Sequence, residues 1–195
     1  MNSRKIIKSL YEDIWAFQIP RHDDLRVRSA KSSSLYGEIT SGSLEKLIQY
    51  LRIKSDDVFY DLGSGVGKVV MQVALNSPVK KAIGIELSET RFNHAQDVRR
   101  QAIKQKLIAA ARIKFRNADV LSTNLNNATI IYTCSTAFPE RFMKPLGSKL
   151  AKLKSNPTIV TLQELPDCDL SLIDSLKLDM TWARRVPLYV YKRRP

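Results

Sequence analysis

The sequence predicts an α/β domain built on a mostly parallel seven-stranded sheet that ends in an antiparallel hairpin. Three observations lead there. Apolar, β-type runs alternate with amphipathic helical segments between residues 58 and 162, the pattern of repeated βαβ units. A glycine-dense turn, Gly63-Ser64-Gly65-Val66-Gly67, joins the first of these strands to a helix, where a tight turn brings backbone and helix end close to a ligand. Beyond the last alternation, residues 177–180 and 188–191 form two further β segments joined by a turn around Pro187, which adds a hairpin with one reversed strand.

The elements follow in order. Ile6, Ile7, Leu10, Ile14 and Phe17 recur at helical spacing over residues 3–18, and Pro20 stops the run, so a helix packed on the domain is expected there rather than a membrane-surface anchor. Residues 21–34 are polar and basic and contain Ser32-Ser33-Ser34; they read as a mobile loop. A helix over 43–51 precedes the Ser55-Asp56-Asp57 turn and the strand at 58–62. The helix at 67–74 carries Val69, Val70, Val73 and Ala74 towards the sheet. The second strand, Ala82-Ile83-Gly84-Ile85-Glu86, ends on a lone carboxylate. A long basic helix from Ser88 follows, with Phe92, Ala95, Val98, Ala102 and Ile103 on one face. Strands at 113–116, 129–133 and 158–162 complete the alternation. The chain divides into residues 1–42, an N-terminal helix and loop, and residues 43–195, the α/β domain.

Composition bounds the class. A chain of 195 residues, 44% hydrophobic and 26% charged, fits one domain with a short extension and a sizeable core. The charge balance is less ordinary: 32 Lys and Arg against 19 acids give +13. The cations cluster at Arg99-Arg100, residues 149–154, Arg184-Arg185 and Lys192-Arg193-Arg194, which favours polyanions or acidic protein faces as partners; the plain alternative is a solvated basic surface. The two cysteines, Cys134 and Cys168, are far apart and lack metal-ligand spacing, which points to a reducing compartment and no metal site. No run is apolar enough to span a bilayer, no secretory signal appears, and Glu12 and Asp13 do not suit a transit peptide, so a cytoplasmic or nuclear monomer is expected.

Chemistry concentrates at the strand ends, where open α/β sheets bind ligands. Dinucleotide sites space their glycines G-x-G-x-x-G to seat a pyrophosphate. Here the spacing is Asp61-x-Gly63-x-Gly65-x-Gly67, and an acid before the turn repels a pyrophosphate but suits a cationic amino group. The pattern resembles the first motif of class I S-adenosylmethionine-dependent methyltransferases, which implies their Rossmann-like fold and that cofactor. Glu86, at the tip of the second strand, is placed to accept from both ribose hydroxyls. Asp119, after the third strand, is placed to accept from the adenine amine with Val120 against the ring; an ordinary turn cap is the competing role.

A closer resemblance runs from about Tyr36 to the C-terminus. Tyr36-Gly37-Glu38 together with the block from Phe59 to Ala74 is similar to the core of the Dot1 family of protein lysine methyltransferases. The resemblance implies that Tyr36 and Glu38 belong to a loop over the methionine end of the cofactor. It implies that Trp182 and Tyr189 are the two aromatics of a target-lysine channel, and that Ala137-Phe138 is the family's Ala-Phe after the fourth strand. Two departures stand out: Cys134-Ser135 replaces a paired asparagine beside the departing methyl group, and Lys68 stands where glutamine is usual. Ser135 still offers a hydroxyl, though without an amide's paired donor and acceptor. The implied catalytic set is Tyr36, Ser135, Phe138, Trp182 and Tyr189, acting by positioning and by an apolar aromatic channel that keeps the acceptor amine neutral. The implied partner is a basic or nucleic-acid-associated, histone-like protein, with nucleosome or non-specific nucleic-acid contact.

Two other classes remain open. An RNA or DNA methyltransferase would suit the charge, although residues 133–136 lack an Asn/Asp-Pro-Pro-Tyr/Phe turn and Cys134 lacks the adjacent proline of a pyrimidine C5 nucleophile. A cofactor-binding protein without catalysis would suit the Cys134-Ser135 change.

Overall fold

The structure, a computed structural model, describes residues 3–165 and 168–193. Its centre is a seven-stranded sheet in the order β3-β2-β1-β4-β5-β7-β6. β1 (Val58–Leu62), β2 (Lys81–Glu86), β3 (Ile113–Asn117), β4 (Ile130–Thr133) and β5 (Thr158–Thr161) are parallel. β7 (Val186–Lys192) runs against both β5 and β6 (Ser171–Leu178) and is the reversed strand. β1 and β4 are neighbours although sequence leads β1 outward to β2, so the strand order switches between them. A crevice opens at such a switch, at the carboxyl ends of the strands.

Helices cover both faces. α1 (Ser3–Leu10), α3 (Ser41–Leu51), α4 (Lys68–Asn76) and α5 (Glu89–Lys104) pack on one side, where Leu47, Phe59, Val70, Met71, Val98 and Tyr132 are buried together. α6 (Glu140–Ala151) covers the other, over Tyr60, Ile83, Ile131, Phe142, Leu146 and Ile159. The strands are apolar on both faces because both are covered. No helix among the described residues is long and apolar enough to cross a membrane.

Three expectations are corrected. The helix foreseen over 3–18 stops at Leu10. Tyr11 then turns inward, its hydroxyl donating to the Val66 carbonyl at 3.2 Å, and Phe17 is left exposed. Residues 21–34 are not a loop throughout, because Arg21–Ser29 form α2. Asp23 and Asp24 occupy its first turn and Arg26 and Arg28 its last, matching the helix dipole, and Arg28 pairs with Asp24 at 2.8 Å. Pro187 lies inside β7 rather than in the hairpin turn; it pairs with Lys177 beyond Tyr189, the last β7 residue that β5 pairs, on the approach to the chain reversal. The connection between β6 and β7 is instead residues 179–185, which include Trp182. Arg194 of the terminal basic run lies outside the described residues.

Candidate active site

The end of β1 drives the glycine turn into the sheet crevice. Gly63 and Gly65 have φ of 78° and 54°, in the left-handed region open to glycine. A Cβ on Gly63 would come 3.0 Å from the Phe138 ring, and one on Gly65 would run into Tyr36, so backbone and aromatic rings approach closely here. The turn is strapped to β2: Gly63 and Ser64 N–H donate to the Ile85 carbonyl at 2.9 and 3.0 Å, and Gly65 N–H donates to Glu86 Oε2 at 2.8 Å. Glu86 Oε1 accepts from Ser88 N–H at 2.8 Å. A carboxylate has about four lone-pair sites, so Glu86 keeps capacity to accept from a ligand hydroxyl as well. Burial pushes its pKa up against these hydrogen bonds.

A cavity of about 340 Å³ lies over this turn, within the usual range for small-molecule sites. Gly63, Glu86, Asp119, Val120, Phe138 and Trp182 are in its wall. Asp119 Oδ1 accepts from Leu121 N–H at 2.8 Å, as a turn cap would, and among the described residues the second carboxylate oxygen has no hydrogen-bond donor, which leaves it for a ligand. Phe138 stands against Phe142 with ring centroids 4.7 Å apart. Trp182 is 45% exposed, a rim residue rather than a core one.

Next to it, a smaller cavity of about 20 Å³ holds Asp61, Glu38, Lys68, Tyr132 and Cys134, and Tyr36, Gly37, Gly63 and Cys134 line both spaces. Asp61 is buried, and burial, then Glu86 and Glu38, hold its pKa well above the usual carboxylate range. Glu38 accepts from the Tyr36 hydroxyl at 2.5 Å and pairs with the Lys68 ammonium at 2.5 Å, so its charge is compensated. Cys134 donates to the Gly37 carbonyl at 3.5 Å, and burial, then Asp61, pushes its thiol up to about 12. Such a thiol is not a nucleophile at neutral pH.

The covering segment is fastened at both ends. Residues 38–40 are zipped to the β6–β7 turn: Thr181 N–H donates to the Glu38 carbonyl at 2.8 Å, Ile39 bridges Met180, and Thr40 N–H donates to the Asp179 carbonyl at 3.1 Å. Gly37 lies flat against Trp182, where a side chain would strike the indole. Arg91, on α5 and buried, donates to the carbonyls of Ala16 at 3.1 Å and Ser34 at 2.7 Å and stands 4.7 Å from the Tyr36 ring centre. It also lines the larger cavity, as Val27 of α2 does.

Three residues named from sequence stand apart. Ser135 is fully buried and its hydroxyl accepts from Leu162 and Gln163 N–H at 3.1 and 3.0 Å, which ties the turn after β4 to the end of β5. It is a structural hydroxyl turned from the cavity. Tyr189 faces the α6 side of the sheet beside its pairing partner Thr161 and is not in the cavity wall. Gly67 caps α4 and packs on Phe115 and Ala95, away from the ligand space. Arg91, Tyr132 and Lys68's bond to Glu38 were not read from sequence, because their partners are brought in only by folding.

The family model described as histone methylation protein DOT1 matches residues 15–184. A histone-lysine N-methyltransferase, H3 lysine-79 specific, of Caenorhabditis elegans is 32% identical over 173 residues, covering 84% of this chain and 18% of that protein. The protein of the same description from Drosophila melanogaster is 27% identical over 148 residues, covering 71% and 8%. A protein-lysine N-methyltransferase of Saccharolobus islandicus is 25% identical over 118 residues, covering 60% and 69%. The chain therefore spans less than a fifth of the two animal relatives. Among solved structures, an RNA methyltransferase from Salinibacter ruber with S-adenosyl-L-homocysteine superposes with a TM-score of 0.62 at 18% identity, over 78% of this chain and 91% of that one. Magnesium protoporphyrin IX methyltransferase from Synechocystis, with bound S-adenosylmethionine, gives 0.62 at 13% identity over 99% and 92%. At these identities the superpositions establish the class I methyltransferase fold, and the family match over most of the sequence establishes the lineage: the chain belongs to the DOT1 family.

Proposed function

We propose that the protein is an S-adenosylmethionine-dependent protein lysine N-methyltransferase acting on a histone-like or nucleic-acid-associated protein. The observation that carries this is the pair of buried carboxylates, Asp61 and Glu86, on either side of the glycine turn: Glu86 lines the cavity that reaches Trp182, and Asp61 lines the smaller one that shares Tyr36, Gly37, Gly63 and Cys134 with it. Glu86 is preset by two backbone N–H groups to accept from ribose hydroxyls. The free oxygen of Asp119 and the apolar face of Val120 suit a purine amine and ring. Asp61 suits an ammonium group. The bound cofactor supplies an electrophilic sulfonium methyl group.

The remaining chemistry falls to the chain. Methyl transfer to an amine requires a neutral amine held in line, which is largely positioning. Tyr36, Phe138 and Trp182 form apolar walls where an ammonium is disfavoured and its pKa falls. Residues 16–40, clasped by Arg91 through the Ala16 and Ser34 carbonyls, exclude water from the crevice. The names of the animal relatives point to histone H3 as the acceptor. The net charge of +13 suits a target held among phosphates, so nucleosome or non-specific nucleic-acid contact belongs to this reading. The neutral Cys134 thiol disfavours covalent pyrimidine methylation.

The test uses methyl-labelled cofactor with histone octamers, nucleosomes and cell lysate, followed by protease or nuclease digestion. Protease-sensitive label is expected. Trp182→Ala is expected to cut transfer by on the order of ten- to a hundredfold while cofactor affinity stays within about twofold, since a rim residue positions the acceptor and not the cofactor. Nuclease-sensitive label would make the protein a nucleic-acid methyltransferase; cofactor binding with no label anywhere would make it a binding protein.

A further inference from the structure

Tyr132 lies on β4 directly opposite Asp61 of β1, fully buried, and its hydroxyl has no hydrogen-bond partner among the described residues. Its polar neighbour is the weakly bonding thiol of Cys134. A central strand that carries an unsatisfied phenol calls for an explanation, because leaving such a group unpaired is costly and a phenylalanine would fill the same volume. The carboxylate of Asp61 likewise receives no hydrogen bond from the described residues, whereas Glu38 across the cavity is satisfied by Tyr36 and Lys68. The two unsatisfied groups face one cavity of about 20 Å³, room for a single group the size of a water molecule.

The filling group must donate to Asp61, because a carboxylate only accepts, and the phenol oxygen can accept from the same group. Charge decides what kind of donor. Two carboxylates, Asp61 and Glu38, face one ammonium, Lys68, which leaves an excess of one negative charge when all are ionised. A primary ammonium supplies the missing charge and three donors; water supplies donors without charge. The small cavity shares Tyr36, Gly37, Gly63 and Cys134 with the larger one, so a group attached to a ligand there reaches it directly.

We propose that Tyr132 is a further specificity-determining residue of the cofactor site, its hydroxyl accepting from the methionine ammonium held beside Asp61. Tyr132 then selects ligands that carry the amino acid over those that carry only adenosine and a thioether. The inference rests on the cofactor reading above and extends it to a residue that lies under the site, inside the sheet.

The experiment is calorimetric titration of wild type and Tyr132→Phe with S-adenosylhomocysteine and with 5′-methylthioadenosine, which keeps the adenosine and sulfur but lacks the amino acid. Thermal melts without ligand accompany it. The variant is expected to lose about tenfold in affinity for S-adenosylhomocysteine, the size of one hydrogen bond to a charged group. Its affinity for methylthioadenosine should change by less than about twofold, and its ligand-free melting temperature should be equal or higher, since an orphaned hydroxyl has been removed. Equal affinity of both proteins for S-adenosylhomocysteine would assign the cavity to water and overturn the proposal. A matched loss for both ligands would also overturn it by showing a general effect on packing. A wild type that binds neither ligand would instead remove the cofactor reading and the inference with it.

Discussion

Asp61 carries a carboxylate to a place where burial, Glu86 and Glu38 all favour the proton, so its folded-state pKa lies well above the unfolded value near 4. Between those two values the folded protein binds more protons than the unfolded chain, and stability must fall as pH rises. Glu86 shifts in the same direction for the same leading reason, burial. Denaturant melts of the ligand-free protein from about pH 4 upward are therefore expected to show declining stability, and Asp61→Asn should flatten part of that decline. A cationic group bound beside Asp61 favours the ionised form, so binding of S-adenosylhomocysteine should release protons. Calorimetry in buffers of different ionisation enthalpy measures this; no release in wild type, or the same release in Asp61→Asn, would remove Asp61 from the site. The position of Asp61 was legible in the sequence because a strand end next to glycines fixes where a side chain points. Arg91 was not, because its acceptors are main-chain carbonyls 75 and 57 residues away, and a carbonyl leaves no mark on the residue type that carries it.

At the scale of elements, the strands and their helices were readable because both faces of the sheet are covered and local pattern agrees with global packing. α2 was not readable. Its sequence, Arg21–Ser29, buries only Asp23 and Val27, so no apolar stripe betrays it. Asp23 explains the helix from outside: it accepts from Ser88 Oγ at 2.6 Å and from the Glu89 and Thr90 N–H groups at 3.0 and 3.1 Å. A carboxylate from one helix thus caps the N-terminus of another, α5, and docks the cover over the crevice. Asp23→Ala should lower unfolding free energy by roughly 1–3 kcal/mol, as loss of a buried cap does. It should also raise hydrogen exchange across residues 21–34 well before the sheet strands. Unchanged exchange in that segment would mean that Arg91 and the zipper at residues 38–40 hold the cover in place without Asp23.

For the molecule as a whole, the excess of +13 was plain from composition, but its placement was not. Some of the cations are turned inward as staples. Arg99 donates to the carbonyls of Ile113 and Ala110, and Lys149 to those of Val120, Leu121 and Thr123, the last three holding the loop that carries Asp119. Topology separates the others. Because β7 runs against β5, its beginning lies with the carboxyl ends of the parallel strands and its end lies at their amino ends. Arg184 and Arg185 are therefore exposed on the crevice side, in the same turn as Trp182, while Lys192 and Arg193 lie on the far side. A polyanion that guides a target lysine to the crevice must touch the first pair. Arg184→Glu is accordingly expected to weaken duplex DNA and nucleosome binding and to make the salt dependence shallower, by about 0.9 in the log–log slope for each phosphate no longer neutralised. It should reduce methylation of nucleosomes more than of free histone. Lys192→Glu with Arg193→Glu should leave the preference for nucleosomes unchanged. Filter binding across a salt series, paired with labelling of both substrates, separates the two faces; equal effects from both variants would mean that the charge acts only as a diffuse field and not through an oriented surface at the site.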